Sequence, residues 1–321
     1  MPNVSTVREF LLLGFSDIQE LQLVHAALFL LVYLAALIGN LLIITVTVLD
    51  RRLHTPMYFF LRNLSVVDLL LITVIVPNSV LNTLTNHNSI SFLGCVAQVF
   101  LVVLVVGSEF LILTAMSYDR YAAICHPLRY EIIMTSTACG KMATASWLSG
   151  GLFGVLDSVS TFSLSFCGSN IVQQFFCDIP TLLKISCSED HVAIDVSVAG
   201  GIALGLSCFV FIIMSYVCIF QAVLRMPATE GRAKAFSTCL PHLAVVTIFF
   251  ATAAIAYLKP VPDSSSTQDL LVSVFYTMVT PTLNPVIYSL RNRDMKAALG
   301  RVLKRRFLLP LLRDKMSISI Y

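Results

Sequence analysis

Charged residues are scarce in this chain. Asp, Glu, Lys and Arg make up 12% of it, about half the share of a soluble domain, while 57% is hydrophobic. A chain this apolar cannot cover its own surface in water, so a soluble globular fold is excluded and the excess faces lipid. Basic residues are scarcer still on one side. With the N-terminus outside, the outer segments hold only Arg8, Lys184 and Lys259, and the other 18 of the 21 Lys and Arg lie inside, which excludes the reverse orientation. A cleavable leader is also missing: the first apolar run starts near Leu23, is too long for a signal core and leads straight into Asp50-Arg51-Arg52, as a retained span does. Neither inverted repeats nor paired broken helices are visible, which argues against a small transporter. His25, His87 and His191 have no nucleophile or metal partners at readable spacing, which argues against a membrane hydrolase.

What the chain does contain is seven apolar stretches, near 23–49, 57–83, 93–119, 139–163, 193–224, 236–258 and 269–290. Each exceeds the roughly 20 residues that cross a bilayer at 1.5 Å per residue. The expected fold is an all-α integral membrane protein, a seven-transmembrane helix bundle. It divides into an extracellular N-terminus (1–22), the bundle (23–290) and a cytoplasmic tail (291–321). The tail mixes basic residues with Met295, Ala298, Leu299, Val302 and Leu303, and predicts an amphipathic helix on the anionic inner leaflet. Asn3-Val4-Ser5 is a glycosylation acceptor on the outer side.

Nine cysteines fall into two groups. Cys125, Cys139, Cys208, Cys218 and Cys239 lie in spans or near reducing compartments, where they read as small packing residues. Cys95, Cys167, Cys177 and Cys187 lie outside, where disulfides persist, and four cysteines allow three pairings. Three of them sit between spans four and five, predicting a stapled lid rather than a free loop. At membrane depth stand Asp68, Glu109 and Asp157, with Asn40 and Asn284 as neutral polar groups. Asp68 and Glu109 facing each other would require either a shared proton or a bound cation such as sodium. A structural hydrogen-bond network is the plain alternative. Pro77, Pro241, Pro281 and Pro285 predict kinks.

Five runs then carry a resemblance. Gly39-Asn40 lies in span one and Leu53-His54-Thr55-Pro56-Met57-Tyr58-Phe59-Phe60-Leu61 at the first inner turn. Met116 to Tyr130 encloses Asp119-Arg120-Tyr121 at the end of span three. Lys234-Ala235-Phe236-Ser237-Thr238-Cys239 opens span six, and Pro281 to Asn292, with Asn284-Pro285 and Tyr288, closes span seven. In this order and spacing they resemble the signatures of odorant receptors, within the rhodopsin-like G-protein-coupled receptors, from about Phe10 to Leu303. A rhodopsin-like receptor for a lipid or metabolite is the nearest alternative and would lack the Leu53–Leu61 and Lys234–Cys239 runs. The chain departs from the family at Pro241, where serine is usual, and at Phe250 and Ala251, where tyrosine and glycine are frequent.

The resemblance implies a receptor, not an enzyme, in the plasma membrane with its N-terminus outside. It implies a small hydrophobic odorant in the outer half of the bundle and a stimulatory olfactory-type G protein inside, raising cyclic AMP. It pairs Cys95 with Cys177 and Cys167 with Cys187. It places the pocket wall at Val102, Val103, Val106, Gly107, Gly200, Gly201, Leu204, Ala253, Ala254, Tyr257, Val274 and Thr277. This wall is apolar, and Val102 stands where amine receptors carry an aspartate. The inner switch would be Arg120, paired at rest with Asp119 and supported by Tyr121, Tyr216, Lys234, Asn284, Pro285 and Tyr288. No acidic residue is expected at the inner end of span six to lock Arg120, which implies a soft inactive state. No cofactor is expected beyond the sodium alternative at Asp68 and Glu109.

Overall fold

The structure, a computed structural model, describes residues 8–12, 19–85, 88–167, 170–188, 190–225, 229–258, 273–291 and 293–303. The long helices are α1 (Gln19–Leu49), α2 (Pro56–Thr85), α3 (Phe92–Cys125), α4 (Ser136–Phe162), α5 (Val192–Arg225) and α6 (Thr229–Leu258). A π-turn at Phe275–Val279 leads into α7 (Thr280–Arg291), and α8 (Arg293–Leu303) follows. Five helices, α1, α2, α3, α5 and α6, are by length and composition alone apolar enough to cross a membrane. The fourth, 27 residues long, is interrupted by Gly, Ser, Thr and Asp157, and the seventh is described only from Ser273. Their outward faces show what surrounds them: Leu31 (67% exposed), Val159 (62%) and Leu206 (60%) project as lipid-facing side chains.

Local chemistry sets the helix ends. The Ser91 hydroxyl accepts from Gly94 N–H (3.1 Å) and opens α3, and the Thr135 hydroxyl accepts from Ala138 N–H (3.2 Å) and opens α4. Pro56 starts α2 at the position where a missing N–H costs nothing, and Pro127 follows the end of α3. Two ends differ from expectation. The first helix begins at Gln19 rather than near 23. The sixth begins at Thr229 rather than near 236, so its backbone includes Glu230, whose side chain lies outside the described residues.

The closest packing joins α3 and α4. A Cβ on Gly150 would lie 2.9 Å from Ser108 N, and one on Gly154 2.9 Å from Phe100 O, so only glycine permits the approach. The Ser108 hydroxyl then reaches Ser146 O (3.3 Å) across the interface. The main core fills the inner and middle bundle with Leu64, Ile75, Ile112, Leu113, Ile212 and Val245 among others.

Over the outer end lies a three-stranded sheet in the order β2-β1-β3, with β1 at Glu9–Leu12, β2 at Ser89–Ser91 and β3 at Ile171–Val172. β1 pairs antiparallel with β2 (Phe10↔Ile90) and parallel with β3 (Leu11↔Ile171). Sequence reasoning placed 1–22 as a plain extracellular segment; the structure instead inserts β1 between the two outer loops. Phe10 anchors it, fully buried, with its ring 5.5 Å from Phe166 and 6.1 Å from Phe92. On the inner side, α8 buries Met295 and Ala298 against the bundle, and Arg301 donates to Asp50 (2.7 and 2.9 Å). That guanidinium, helped by Arg52 N–H, holds the Asp50 carboxyl below its usual value. The tail helix is described over Arg293–Leu303, and the expected glycosylation acceptor Asn3 lies outside the described residues.

Candidate functional site

At the inner end of α3 the Arg120 guanidinium donates to Asp119 Oδ2 through Nη2 and through Nε (3.0 Å). Asp119 is wholly buried, and its other oxygen accepts from the Tyr130 hydroxyl at 2.6 Å. Tyr130 starts the short helix Tyr130–Ile133 in the second inner loop. Burial and the Asp119 carboxylate push its phenol above the ordinary value, so it remains a donor. The expected Asp119–Arg120 pair is thus a three-residue knot, and Tyr130 is the member the sequence did not announce. Tyr121 turns away from it and bonds His126 Nε2 (3.1 Å).

A second knot joins three helices. His242 Nε2 lies 3.1 Å from Leu113 O, and its Nδ1 lies 2.7 Å from the Tyr216 hydroxyl. A carbonyl can only accept, so Nε2 carries the proton and Nδ1 accepts from Tyr216. His242 on α6 therefore fastens α3 to α5. No role was expected of it from the sequence; a lone histidine inside an apolar span was the available signal. The Tyr288 hydroxyl is buried near this level with no hydrogen-bond partner among the described residues. Lys234 lies on the α6 backbone, its side chain outside the described residues.

Midway through the bundle, Asn284 Nδ2 donates to Asp68 (3.0 and 3.2 Å), tying α7 to α2, and Asn40 Nδ2 donates to Pro281 O (2.9 Å), tying α1 to α7. The carbonyl freed by Pro285 geometry is thus not left in lipid, and a Cβ on Gly39 would fall 2.8 Å from Pro285 Cβ. Both Glu109 carboxylate oxygens are buried without a hydrogen-bond partner among the described residues. No group of three or more His, Cys, Asp or Glu gathers as a metal site among those residues.

In the outer half, Val102 and Val106 pack on the main core and Val103 on the outer cluster beneath the sheet. Gly107 differs from expectation: it faces α4, where a Cβ would approach Gly150 Cα to 3.2 Å, because the two helices need backbone contact there. A Cβ on Gly200 would lie 3.4 Å from the Phe153 ring, whereas one on Gly201 would meet nothing within 4 Å. Leu204 and Ala253 are half-buried and Ala254 is exposed. Val274 packs on the core, and the buried Thr277 hydroxyl is consumed by Ser273 O (2.7 Å). Tyr257 belongs to the α6 backbone, its side chain outside the described residues. Below them Phe250 packs at a tilt against Phe209 (4.8 Å) and Phe110 (5.2 Å), an aromatic floor that uses no hydroxyl at 250.

The lid is fastened as the resemblance implied. Disulfides join Cys95 to Cys177 (Cα–Cα 5.6 Å) and Cys167 to Cys187 (6.0 Å). Gln98, not foreseen, reinforces the first: its Oε1 accepts from Cys177 N–H (2.7 Å) and its Nε2 donates to Val74 O (3.0 Å). Next in the chain, burial pushes the Asp178 carboxyl up to about 7, opposed only by the Ile179 N–H. An acid whose folded-state value lies above its unfolded one is charged at a cost in the folded state. That cost is absent below the ordinary 3.8, grows as pH rises, and is complete above about 7. Asp178→Asn should therefore raise the melting temperature of detergent-solubilised protein at pH 8, with the gain shrinking towards pH 5. An equal gain at both pH values would contradict this account.

The family model described as "Olfactory receptor" matches residues 29–306. Olfactory receptor 14A16 of Homo sapiens is 55% identical over 304 residues, covering 95% of this chain and 98% of its own length. Olfactory receptor 14K1 of Homo sapiens is 55% identical over 94% of this chain and 96% of its own. Olfactory receptor 5AP2 of Mus musculus is 46% identical over 94% and 95% respectively. Among solved structures, squid rhodopsin superposes with a TM-score of 0.67 at 16% identity, covering 92% of this chain and 88% of its own, which speaks for the fold.

Proposed function

The chain belongs to the olfactory receptor family, and from that premise we propose that it binds a small, mostly hydrophobic odorant in the outer half of its bundle and activates a stimulatory olfactory-type G protein, raising cyclic AMP. It is an odorant receptor of the plasma membrane and not an enzyme. The observation that carries the mechanism is the pair of knots at the inner ends of α3, α5 and α6. Burial of an odorant beside α5 and α6 gains about 25 cal/mol per Å². It can shift the bundle only if the active packing offers more such contact. An outward shift of α6 would draw His242 from Leu113 O and Tyr216, and Arg120 would then exchange Asp119 for the incoming G-protein helix. Lys234 would add a positive rim to that cleft.

Asp68 and Glu109 fit a small cation or a proton, since the Glu109 oxygens are buried and have no hydrogen-bond partner among the described residues. Sodium held between Asp68 and Glu109 would favour the resting packing around Asn284, and its loss would accompany activation.

The assay is a cyclic AMP reporter in cells expressing the chain, screened against volatiles, in parental cells and in cells lacking the stimulatory α subunits. A concentration-dependent rise that disappears without those subunits and returns on re-expression is expected. A response that persists without them would overturn the assignment of G-protein type while leaving the receptor.

A further inference from the structure

One polar cluster belongs to neither knot and to none of the expected wall residues. Asp157, Ser158 and Thr161 are all buried on α4, with Thr161 four residues after Asp157 and three after Ser158, so its side chain neighbours both. The Ser197 hydroxyl of α5 donates to Asp157 Oδ1. The Ser158 and Thr161 hydroxyls are buried and have no hydrogen-bond partner among the described residues. Hydroxyls elsewhere in these helices bond the carbonyl one turn back: Thr114 to Phe110 O (2.8 Å), Ser146 to Met142 O (2.9 Å), Ser215 to Phe211 O (2.9 Å), Thr247 to Leu243 O (2.7 Å). Ser158 and Thr161 lack that bond. A buried hydroxyl left so costs roughly 1–3 kcal/mol unless something else satisfies it.

Open space adjoins the cluster. Gly201 stands one turn below Ser197 on the same face of α5, and a Cβ there would meet nothing within 4 Å. One turn further, Gly205 faces the Phe110 ring, so the face from Ser197 to Gly205 runs about 12 Å, at 1.5 Å per residue, from polar to aromatic surroundings. A carboxylate accepts only, and the free hydroxyls can donate, so the complementary group both donates and accepts. An amine head would leave the hydroxyl donors unused and bury a second charge; a carbonyl would leave Asp157 unused.

We propose that this receptor takes an aliphatic alcohol, its hydroxyl held among Asp157, Ser158 and Thr161 and its carbon chain running past Gly201 towards Phe110. The proposal rests on the odorant-receptor reading and adds the ligand class and its anchor. An apolar wall alone would discriminate by shape; this anchor adds discrimination by functional group.

The test uses the full-length chain in the reporter cells, with straight-chain alcohols from butanol to decanol, the matching aldehydes and octylamine, and surface staining of each variant. The wild type should respond to alcohols at lower concentration than to aldehydes of equal length. Asp157→Asn should raise the half-maximal alcohol concentration about ten-fold, one good hydrogen bond's worth, with aldehyde responses within about two-fold. Thr161→Val, which keeps the shape, should weaken both, because an aldehyde oxygen also accepts from that hydroxyl. If Asp157→Asn does not reach the surface, the wild-type preference for alcohols over aldehydes together with the loss in Thr161→Val decides. Equal shifts for alcohols and aldehydes in Asp157→Asn, no shift in either variant, or preference for octylamine would overturn the proposal. So would silence to alcohols in a receptor that answers other volatiles. Silence of the surface-expressed chain to every volatile would instead remove the odorant-receptor reading beneath it.

Discussion

Arg120→Ala leaves the receptor at the cell surface and removes its cyclic AMP response at every odorant concentration, a loss of about 100-fold or more in the half-maximal range. The expectation follows from how the charge is stored. Asp119 is buried and bonded on both oxygens, by Arg120 and by Tyr130, so the guanidinium is held at the helix end with only 14% of its side chain exposed. A hydrogen bond to a charged partner is worth roughly 1.5–3 kcal/mol, and a desolvated cation meeting the G protein gains several such bonds, none of which alanine can offer. The companion variant separates holding from signalling. Tyr130→Phe removes one bond from Asp119 and keeps Arg120, so unstimulated cyclic AMP should rise about five-fold while the maximal response is kept. A normal odorant response from Arg120→Ala, or no basal rise from Tyr130→Phe at equal expression, would sink this account of the switch.

Cys95→Ser should reduce surface expression to a few per cent, and Cys167→Ser should be milder. The Cys95–Cys177 bridge spans 82 residues and the Cys167–Cys187 bridge 20. Chain entropy alone assigns them about 4.5 and about 3.3 kcal/mol, upper figures here because helices already anchored in the bilayer restrict the open loop. The larger difference lies in what each bridge holds. Cys177 is fixed to α3 by its sulfur and to Gln98 by its N–H, beneath the sheet that includes β1. Without the bridge, the buried ring of Phe10 and the strand β3 lose their footing over the outer end of the bundle. Flow cytometry of unpermeabilised cells, with detergent melting curves of whatever protein is recovered, checks both expectations. Wild-type surface levels and melting for Cys95→Ser would overturn them.

Much of the candidate site was legible because its signals are local. Asp119-Arg120 are adjacent, Asn284-Pro285 and Tyr288 share two helical turns, and the outer cysteines declare themselves by compartment. His242 and Gln98 were missed because each acts on a partner distant in sequence: His242 meets Leu113, 129 residues away, and Gln98 meets Cys177, 79 residues away. Tyr130 lies only 11 residues from Asp119, but the turn after α3 that brings the two together is a tertiary feature. Gly107 was misassigned for a similar reason. A glycine on a pocket-facing helix and a glycine at a helix crossing look alike until the neighbour, here Gly150, is in place.

Composition and hydropathy by themselves determined that this chain lives in lipid, how many times it crosses and which end faces out, since those depend on transfer free energies summed over each stretch. The family motifs pointed to Asp119 and Arg120 as the inner switch proposed above. The tertiary structure alone decided which polar groups satisfy one another in a solvent that offers them no water: Asp68 with Asn284, Asn40 with Pro281 O, Asp157 with Ser197. It alone decided that the residues near Phe10 form a strand between two outer loops rather than a free end. Those choices depend on pairings across the bundle, and a pairing has no signature in either partner's own neighbourhood.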